Sequence, residues 1–444
     1  MKKIIIVASF LVSVSTWAQQ QYTLEQIIDS AKHNNIAMRS ARHDVDMATQ
    51  QRKAAFTNYF PNISANGVWF AANKELVQTE INPSDYITPE MGATLAQMLP
   101  AESLAALASP MNIAMVKNGV VASVNAVQPI FAGGQIVNGN RLAKMGEEVS
   151  SLQLEMSEKE VEKTAEQYFW QIISLQEKMK TINIVEKMLA DIAKDVDVAV
   201  KAGLTMNNDL LQVQLRQNDV KSQKIKLQNG MSVMKMLTAQ YCGLSDTAFV
   251  LNDNAIEGEK ASAVMAPTNI NALPEYQLLQ KQKEAASLQR KMEVGKNMPT
   301  IAVGAGYNYH TLLDNDQSFG MVFATISIPI TDWWSGSHNV KRKKIAQLKA
   351  DEQLTDNTDL LRIRQYKAMT DVNEAAQQVD IAQQSIAQAE ENLRIHRNYY
   401  KAGTSRMSDL LEAELLYQQT CDKYVDAVAQ YQNKLLEYKQ ASGL

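Results

Sequence analysis

Hydrophobic positions recur every seven residues over long stretches of this chain. Val372, Val379, Ile386, Leu393 and Tyr400 keep that spacing, as do Tyr168, Leu175, Ile182, Leu189 and Val196, with Ala165, Ile172 and Met179 between them. An apolar period of 3.5 residues predicts helices packed on one another as coiled coils. Farther on, Tyr417, Tyr424, Tyr431 and Tyr438 alternate with Cys421, Val428 and Leu435, a stripe that reads as packing rather than as a binding feature. The period falls to two in TIAVGAGYNYH, where Ile301, Val303, Ala305, Tyr307 and Tyr309 alternate with Ala302, Gly304, Gly306, Asn308 and His310. TLLDNDQS then supplies turn chemistry, and FGMVFATISI a second run of about ten residues. Ile63 to Ala71 and Val120 to Gln128 form a corresponding pair nearer the N-terminus. Runs of roughly 9–11 residues with one apolar face fit the strands of a membrane barrel.

The chain says much of this twice. AVKAGLTMNNDLLQVQL (Ala199 to Leu215) and YYKAGTSRMSDLLEAEL (Tyr399 to Leu415) share Lys-Ala-Gly, Asp-Leu-Leu and a further Leu in one register, 200 residues apart. VNAVQPIFAGGQ and TISIPITDWWSG keep the same offset, so 74 residues separate Pro129 from Gly203 and Pro329 from Gly403. Pro61 and Pro299 do not keep it: 68 residues run from Pro61 to Pro129 but only 30 from Pro299 to Pro329. The first copy therefore holds 38 extra residues, within 72–119, which read as a long loop at one end of a barrel, with room for short helices. Each copy reads helix, Pro, strand, loop, strand, Pro, long helix, Gly turn, long helix. The organisation is a first repeat over 19–246, a linker over 247–268 and a second repeat over 269–444.

Composition adds three constraints. Lys2 and Lys3, the apolar stretch Ile4 to Val14 and Thr16-Trp17-Ala18 have the form of a signal peptide over 1–18, so the chain is expected to be exported. Losing the two lysines takes the formal charge of −4 to −6, which gives no reason to expect nucleic acid as a partner. Cys242 and Cys421 are too few for a disulfide scaffold; position 242 is equivalent to 442, and the two are expected to be free thiols.

From Trp334 to Ala402 is 69 residues, ~100 Å of continuous helix, and the Lys-Ala-Gly turn folds the chain back into two antiparallel helices per repeat. Four strands cannot close a barrel, which needs about eight, and open edges cannot face lipid. A membrane form must oligomerise.

The order of elements, the two-fold repeat, QPIFAGGQ after a strand and KAGTSRMSDLLEAE at a helical turn resemble the TolC family of outer-membrane efflux proteins. YTLEQIIDSAKHNNIAMRSARHDVDMATQQRKAAFTNYFPNI is similar to that family's opening helix. The resemblance covers essentially the whole mature chain. It implies a mainly α fold with a membrane β-barrel part: a homotrimer with a 12-stranded barrel in the outer-membrane lipid of a Gram-negative bacterium and an α-helical tunnel in the periplasm. It also implies a tip, made by the two Lys-Ala-Gly turns, that docks a periplasmic adaptor and an inner-membrane transporter.

The residues divide the labour in ways physics supports. Pro129 and Pro329 cannot donate a ladder hydrogen bond, so each is expected to end its strand. Gly133, Gly134 and Gly336 allow the chain to swing from strand to helix, and Gly203 and Gly403 suit the positive φ that terminates a helix. Gly203, Leu204, Gly403 and Thr404 are the candidates for adaptor contact. Asp409 and Glu412 lie three residues apart on one helix face. Either they ring the closed entrance, as the resemblance implies, and favour cations, or Asp409 simply complements its helix dipole, the reading favoured for Asp209. In the family a Tyr three residues before the glycine and an Arg two after it hold the entrance shut. Tyr400 matches the first; position 405 is Ser, with Arg406 beside it, so the pattern is displaced by one and Arg406 is open to meeting an adaptor instead.

No enzyme chemistry is expected. Histidines 33, 43, 310, 338 and 396 show neither HExxH nor clustered ligand spacing, and no P-loop, GxSxG or GxGxxG is present. No cofactor or metal is implied, and the 21 scattered methionines read as packing. The sequence therefore reads as the passive outer-membrane duct of a tripartite pump. Its rivals are the duct of a type I protein secretion system and, in another class, a periplasmic coiled-coil scaffold.

Overall fold

The computed structural model describes residues 21–74, 76–115, 117–247, 249–251, 262, 264, 269–312, 315–330 and 332–443. The expected signal peptide and most of the expected linker lie outside these residues. In chain order the elements are β1 (Gln21–Tyr22), α1 (Leu24–Asn34), α2 (Ile36–Thr57), β2 (Asn62–Ala71), β3 (Val77–Ile81), α3 (Pro89–Met98), α4 (Ala101–Ala108), β4 (Met111–Met115), β5 (Asn118–Ala132), α5 (Gln135–Lys201) and α6 (Asn207–Cys242). They continue with β6 (Val250–Leu251), α7 (Pro274–Lys296), β7 (Thr300–Leu312), β8 (Asn315–Ser327), α8 (Asp332–Lys401) and α9 (Met407–Ser442). The chain is mainly helical.

Two compact units form. The first comprises residues up to Thr49, Met145–Glu284 and Leu348 onward; the second comprises Gln50–Lys144 and Ala285–Gln347.

The first unit is helical and built on the seven-residue pattern. Along α5, Ile182, Val185, Leu189, Ile192 and Val196 are buried, alternating three and four residues apart as knobs of a coiled coil do. They pack with Val213 and Val220 of α6, Leu393 of α8 and Met407 and Leu410 of α9. Val372 and Val379 of α8 meet Val428, Tyr431 and Tyr438 of α9 in another cluster, so the tyrosine stripe is packing. The repeat is literal here: α6 and α9 are each 36 residues long, capped by Gly243 at φ 66° and Gly443 at φ 73°. The N-terminal segment is two helices rather than one. Asn35 breaks it in an extended conformation, its Oδ1 accepting from Ala37 N at 2.8 Å and its Nδ2 donating to the Tyr241 carbonyl at 3.1 Å. Cys242 and Cys421 are free thiols.

The second unit holds a four-stranded sheet in the order β2-β5-β7-β8, every neighbouring pair antiparallel. All four expected strands are present. The segment 72–119 contributes its own hairpin, β3 with β4, besides the short helices α3 and α4.

Two expectations about strand ends need correction. Pro129 does not end its strand: β5 runs on to Ala132, with a register shift between Pro129 and Phe131. Its pairing with β2 has already stopped at Val127, so Pro129 lies where only β7 remains as a neighbour and a bulge absorbs the missing donor. Gly336 is not a swing point: it lies inside α8, and a Cβ there would overlap Asn297 Oδ1. Its hydrogen side chain permits close approach, not an unusual φ. Gly133 and Gly134 do sit at the strand-to-helix step with φ 60° and 74°, and β8 stops two residues before Pro329.

Candidate functional site

The sheet of the second unit sorts its side chains by face. Cross-strand register places Ile63, Ala65, Gly67 and Trp69 of β2 on the same side as Ala122, Val124 and Ala126 of β5. The row continues through Val303, Ala305, Tyr307 and Tyr309 of β7 to Gly320, Val322, Ala324 and Ile326 of β8. This side is apolar nearly throughout and open: Ile63 is 70% exposed, Trp69 73%, Val322 86% and Ile326 68%. The opposite side carries Ser64, Asn66, Ser123, Asn125, Asn308 and His310 amid apolar residues. An exposed apolar face of this extent needs a nonaqueous neighbour. The alternation of β7 was legible in sequence; that all four strands contribute to one face follows only from the register.

In the first unit the two Lys-Ala-Gly turns lie side by side. Each closes its helix by the same pair of bonds, Gly203 N to Val200 O (3.0 Å) with Leu204 N to Ala199 O (2.9 Å), and Gly403 N to Tyr400 O (3.0 Å) with Thr404 N to Tyr399 O (2.9 Å). This is a Schellman cap, whose positive φ (72° and 73°) glycine alone adopts without strain. Leu204 stands 82% exposed. A groove shared by the turns is lined by Leu204, Asp209, Gln212, Tyr400, Ser405 and Arg406. Burial pushes the Tyr400 phenol above its ordinary range, opposed by a hydrogen bond to Thr205 of the other turn.

The carboxylates of the turns are occupied locally. Asp409 Oδ2 accepts from Arg406 N (3.2 Å) and Ser405 Oγ (3.1 Å), and Oδ1 accepts from Ser408 Oγ (3.1 Å). These bonds, the Arg406 amide foremost, hold the Asp409 carboxyl below its ordinary range. Asp209 accepts from the Thr205 hydroxyl in the equivalent place. Glu412 is exposed. Arg406 is the residue that precedes α9, and its amide is what Asp409 caps.

One feature of these helices was not anticipated. Arg216 of α6 donates through Nε to Glu414 Oε2 of α9 at 2.8 Å, and Glu414 is fully buried. Arg216 Nη2 also donates to Gln418 Oε1, whose Nε2 donates to Gln223 Oε1 at 2.7 Å. Desolvation pushes the Glu414 carboxyl above the ordinary carboxylate range, with Arg216 pulling the other way. The only sequence signal was a break in the repeat: Gln214 and Leu416 occupy the positions equivalent to Glu414 and Arg216.

Among the described residues, no group of three or more His, Cys, Asp or Glu side chains could hold a metal, and no helix is long and apolar enough to cross a membrane.

Comparison with known proteins agrees with this architecture. The outer membrane efflux protein family model matches residues 274–444. No curated protein matches the sequence. The fold is similar to the outer membrane protein VceC of Vibrio cholerae, 12% identical, with 95% of this chain and 96% of that one covered at a TM-score of 0.72. It is also similar to the CmeC outer membrane channel of Campylobacter jejuni, 14% identical, covering 95% and 85% at a TM-score of 0.71. The MtrE outer membrane channel of Neisseria gonorrhoeae, in its open state, is 14% identical, covering 95% and 88% at a TM-score of 0.67. With residues 274–444 matching the outer membrane efflux protein model, the resemblance to the TolC family of outer-membrane efflux proteins, with the outer-membrane location it implies, is borne out.

Proposed function

We propose that the protein is the outer-membrane exit duct of a tripartite efflux pump, a passive homotrimeric channel for small molecules. The carrying observation is the four-stranded sheet with one exposed apolar face and two free edges, β2 and β8. Three successive antiparallel pairings make β8 run opposite to β2, so β8 of one copy presents the correct direction to β2 of the next. Four strands cannot close alone, and unpaired edges cannot face lipid. Three copies give twelve strands, with the apolar faces toward lipid and the Asn- and Ser-bearing faces toward an aqueous lumen.

In this reading the paired turns are the periplasmic end. Gly203, Leu204, Gly403 and Thr404 contact an adaptor that joins the duct to an inner-membrane transporter. Tyr400, Arg406, Asp209, Asp409 and Glu412 border the entrance, which opens as the helices carrying the turns separate. The contact of Tyr400 with Thr205 supports a closed association of the two turns. Energy comes from the transporter. Native mass spectrometry of the detergent-solubilised protein tests the assembly: the mass of three copies is expected, and a monomer that stays folded would contradict it.

A further inference from the structure

We propose that a belt of lysine and arginine on the helix segments adjoining the sheet binds the phosphate headgroups of anionic phospholipids. This rests on the reading of the sheet as a membrane wall. The chain as a whole carries a net charge of −4. The segments next to the strands in the second unit do not share that balance. Residues 50–57 of α2, 133–144 leading into α5, 285–296 of α7 and 332–347 of α8 hold two, two, three and four basic residues, against two carboxylates, Glu293 and Asp332. Glu293 is buried and engaged by Lys296 at 3.1 Å. Of the four bases on α8, Lys343 turns to Gln289 of α7 at 3.0 Å. Lys341, Arg342 and Lys344 are exposed, and none pairs with a carboxylate among the described residues. Elsewhere exposed lysines do find partners, as Lys367 with Asp371 and Lys201 with Asp197 show.

The placement of these bases is ordered relative to aromatic side chains. On α8, Trp334 is 81% exposed, and Lys341 follows seven residues later. Seven residues are almost two turns, so both lie on one face about 10 Å apart along the axis. The buried Gly336, packed on Asn297, lies on the other side of the helix. On α2 the chain runs toward the sheet rather than away from it, and the order in sequence is reversed accordingly: Lys53 comes before the exposed Phe56 and Phe60. In both helices the aromatic ring is nearer the strand and the base farther from it. Aromatic rings settle at the boundary between acyl chain and headgroup, and long cationic side chains reach outward from there. A cluster of four to eight bases beside a membrane segment attracts anionic lipid, each contributing about fivefold in affinity. Two helices of opposite direction, with the same aromatic-then-basic order, point to a lipid phosphate plane.

The test uses the full chain in vesicles of phosphatidylcholine with phosphatidylglycerol, one or the other brominated, and reads quenching of tryptophan fluorescence. Trp69, Trp333 and Trp334 are the exposed reporters. The wild-type protein should favour phosphatidylglycerol at least fivefold at low salt, and the preference should shrink in about 1 M salt, where charges are screened. K341Q/R342Q/K344Q should lose most of that preference, whereas K341R/R342K/K344R should keep it. Equal quenching by the two lipids in the wild type, or a preference unchanged in the glutamine variant, would overturn the proposal while leaving the membrane reading standing. Loss of co-sedimentation with cell-wall sacculi in the glutamine variant, with no lipid preference in the wild type, would overturn it in favour of a polymer ligand. No quenching by either lipid would overturn it together with the membrane reading.

Discussion

The Arg216 guanidinium and the Glu414 carboxylate meet at 2.8 Å with side chains 10% and 0% exposed, tying α6 to α9 from within. A buried pair of this kind is costly to break, because the survivor keeps its charge without its partner, at about 3–5 kcal/mol. Arg216→Met or Glu414→Leu alone should therefore lower the urea midpoint strongly, and the double variant Arg216→Met/Glu414→Leu should recover most of the loss. A double variant no better than the worse single one would show that the pair is not the source of the effect.

The glycines predict a graded series. Gly203 and Gly403 have positive φ but nothing within 4 Å of a Cβ, so alanine at either meets only backbone strain, about 1–2 kcal/mol. At Gly133 a Cβ would also run into the Gly295 backbone. Gly133→Ala should therefore destabilise much more than Gly203→Ala in parallel denaturation curves. Equal midpoints for the two would contradict the close approach.

Asp409 supplies a pH dependence. Its carboxyl is held below its ordinary 3.8 chiefly by the Arg406 amide, then by the Ser405 and Ser408 hydroxyls. Because the folded value is the lower one, this contribution is fully present above the ordinary value and is lost as pH falls through the folded value. Amide exchange at the start of α9, corrected for intrinsic rates, should accelerate as pH drops from neutral to about 3. Asp409→Asn should weaken the helix start already at neutral pH. Exchange that stays flat in the wild type would remove Asp409 from the cap.

The thiols should differ in reactivity. Burial pushes the Cys242 thiol up to about 11, and Cys242 is fully buried among Ile27, Ala31 and Phe169. A thiolate reagent at mildly alkaline pH should leave Cys242 unmodified until the chain unfolds. Rapid labelling of Cys242 in the folded protein would place it outside the core.

Much of this architecture could be read before the structure. Heptads at Ile182, Leu189 and Val196, the paired glycines 203 and 403, and the alternation of Ile301 to Tyr309 are local signals with fixed periods, and local periods survive folding. Three features were not legible because they depend on pairing. Pro129 stays within β5 because β2 has already ended beside it, which only register reveals. Gly336 is small on account of Asn297, a neighbour nearly forty residues away. The Arg216–Glu414 pair breaks the repeat rather than following it, so a reading built on the repeat passes over it. The turns were the opposite case: Asp209 and Asp409 sit in equivalent places, each accepting a hydroxyl hydrogen bond from the residue four before it, Thr205 and Ser405.

The measurement that tests the central claim most directly is single-channel recording of the detergent-purified protein in a planar bilayer of neutral lipid. A sheet closed by three copies around a polar lumen predicts discrete, steady conductance steps, made larger by changes that separate the turns, such as Tyr400→Phe with Thr205→Val. A folded, homogeneous protein that never conducts, with or without those changes, would contradict the duct.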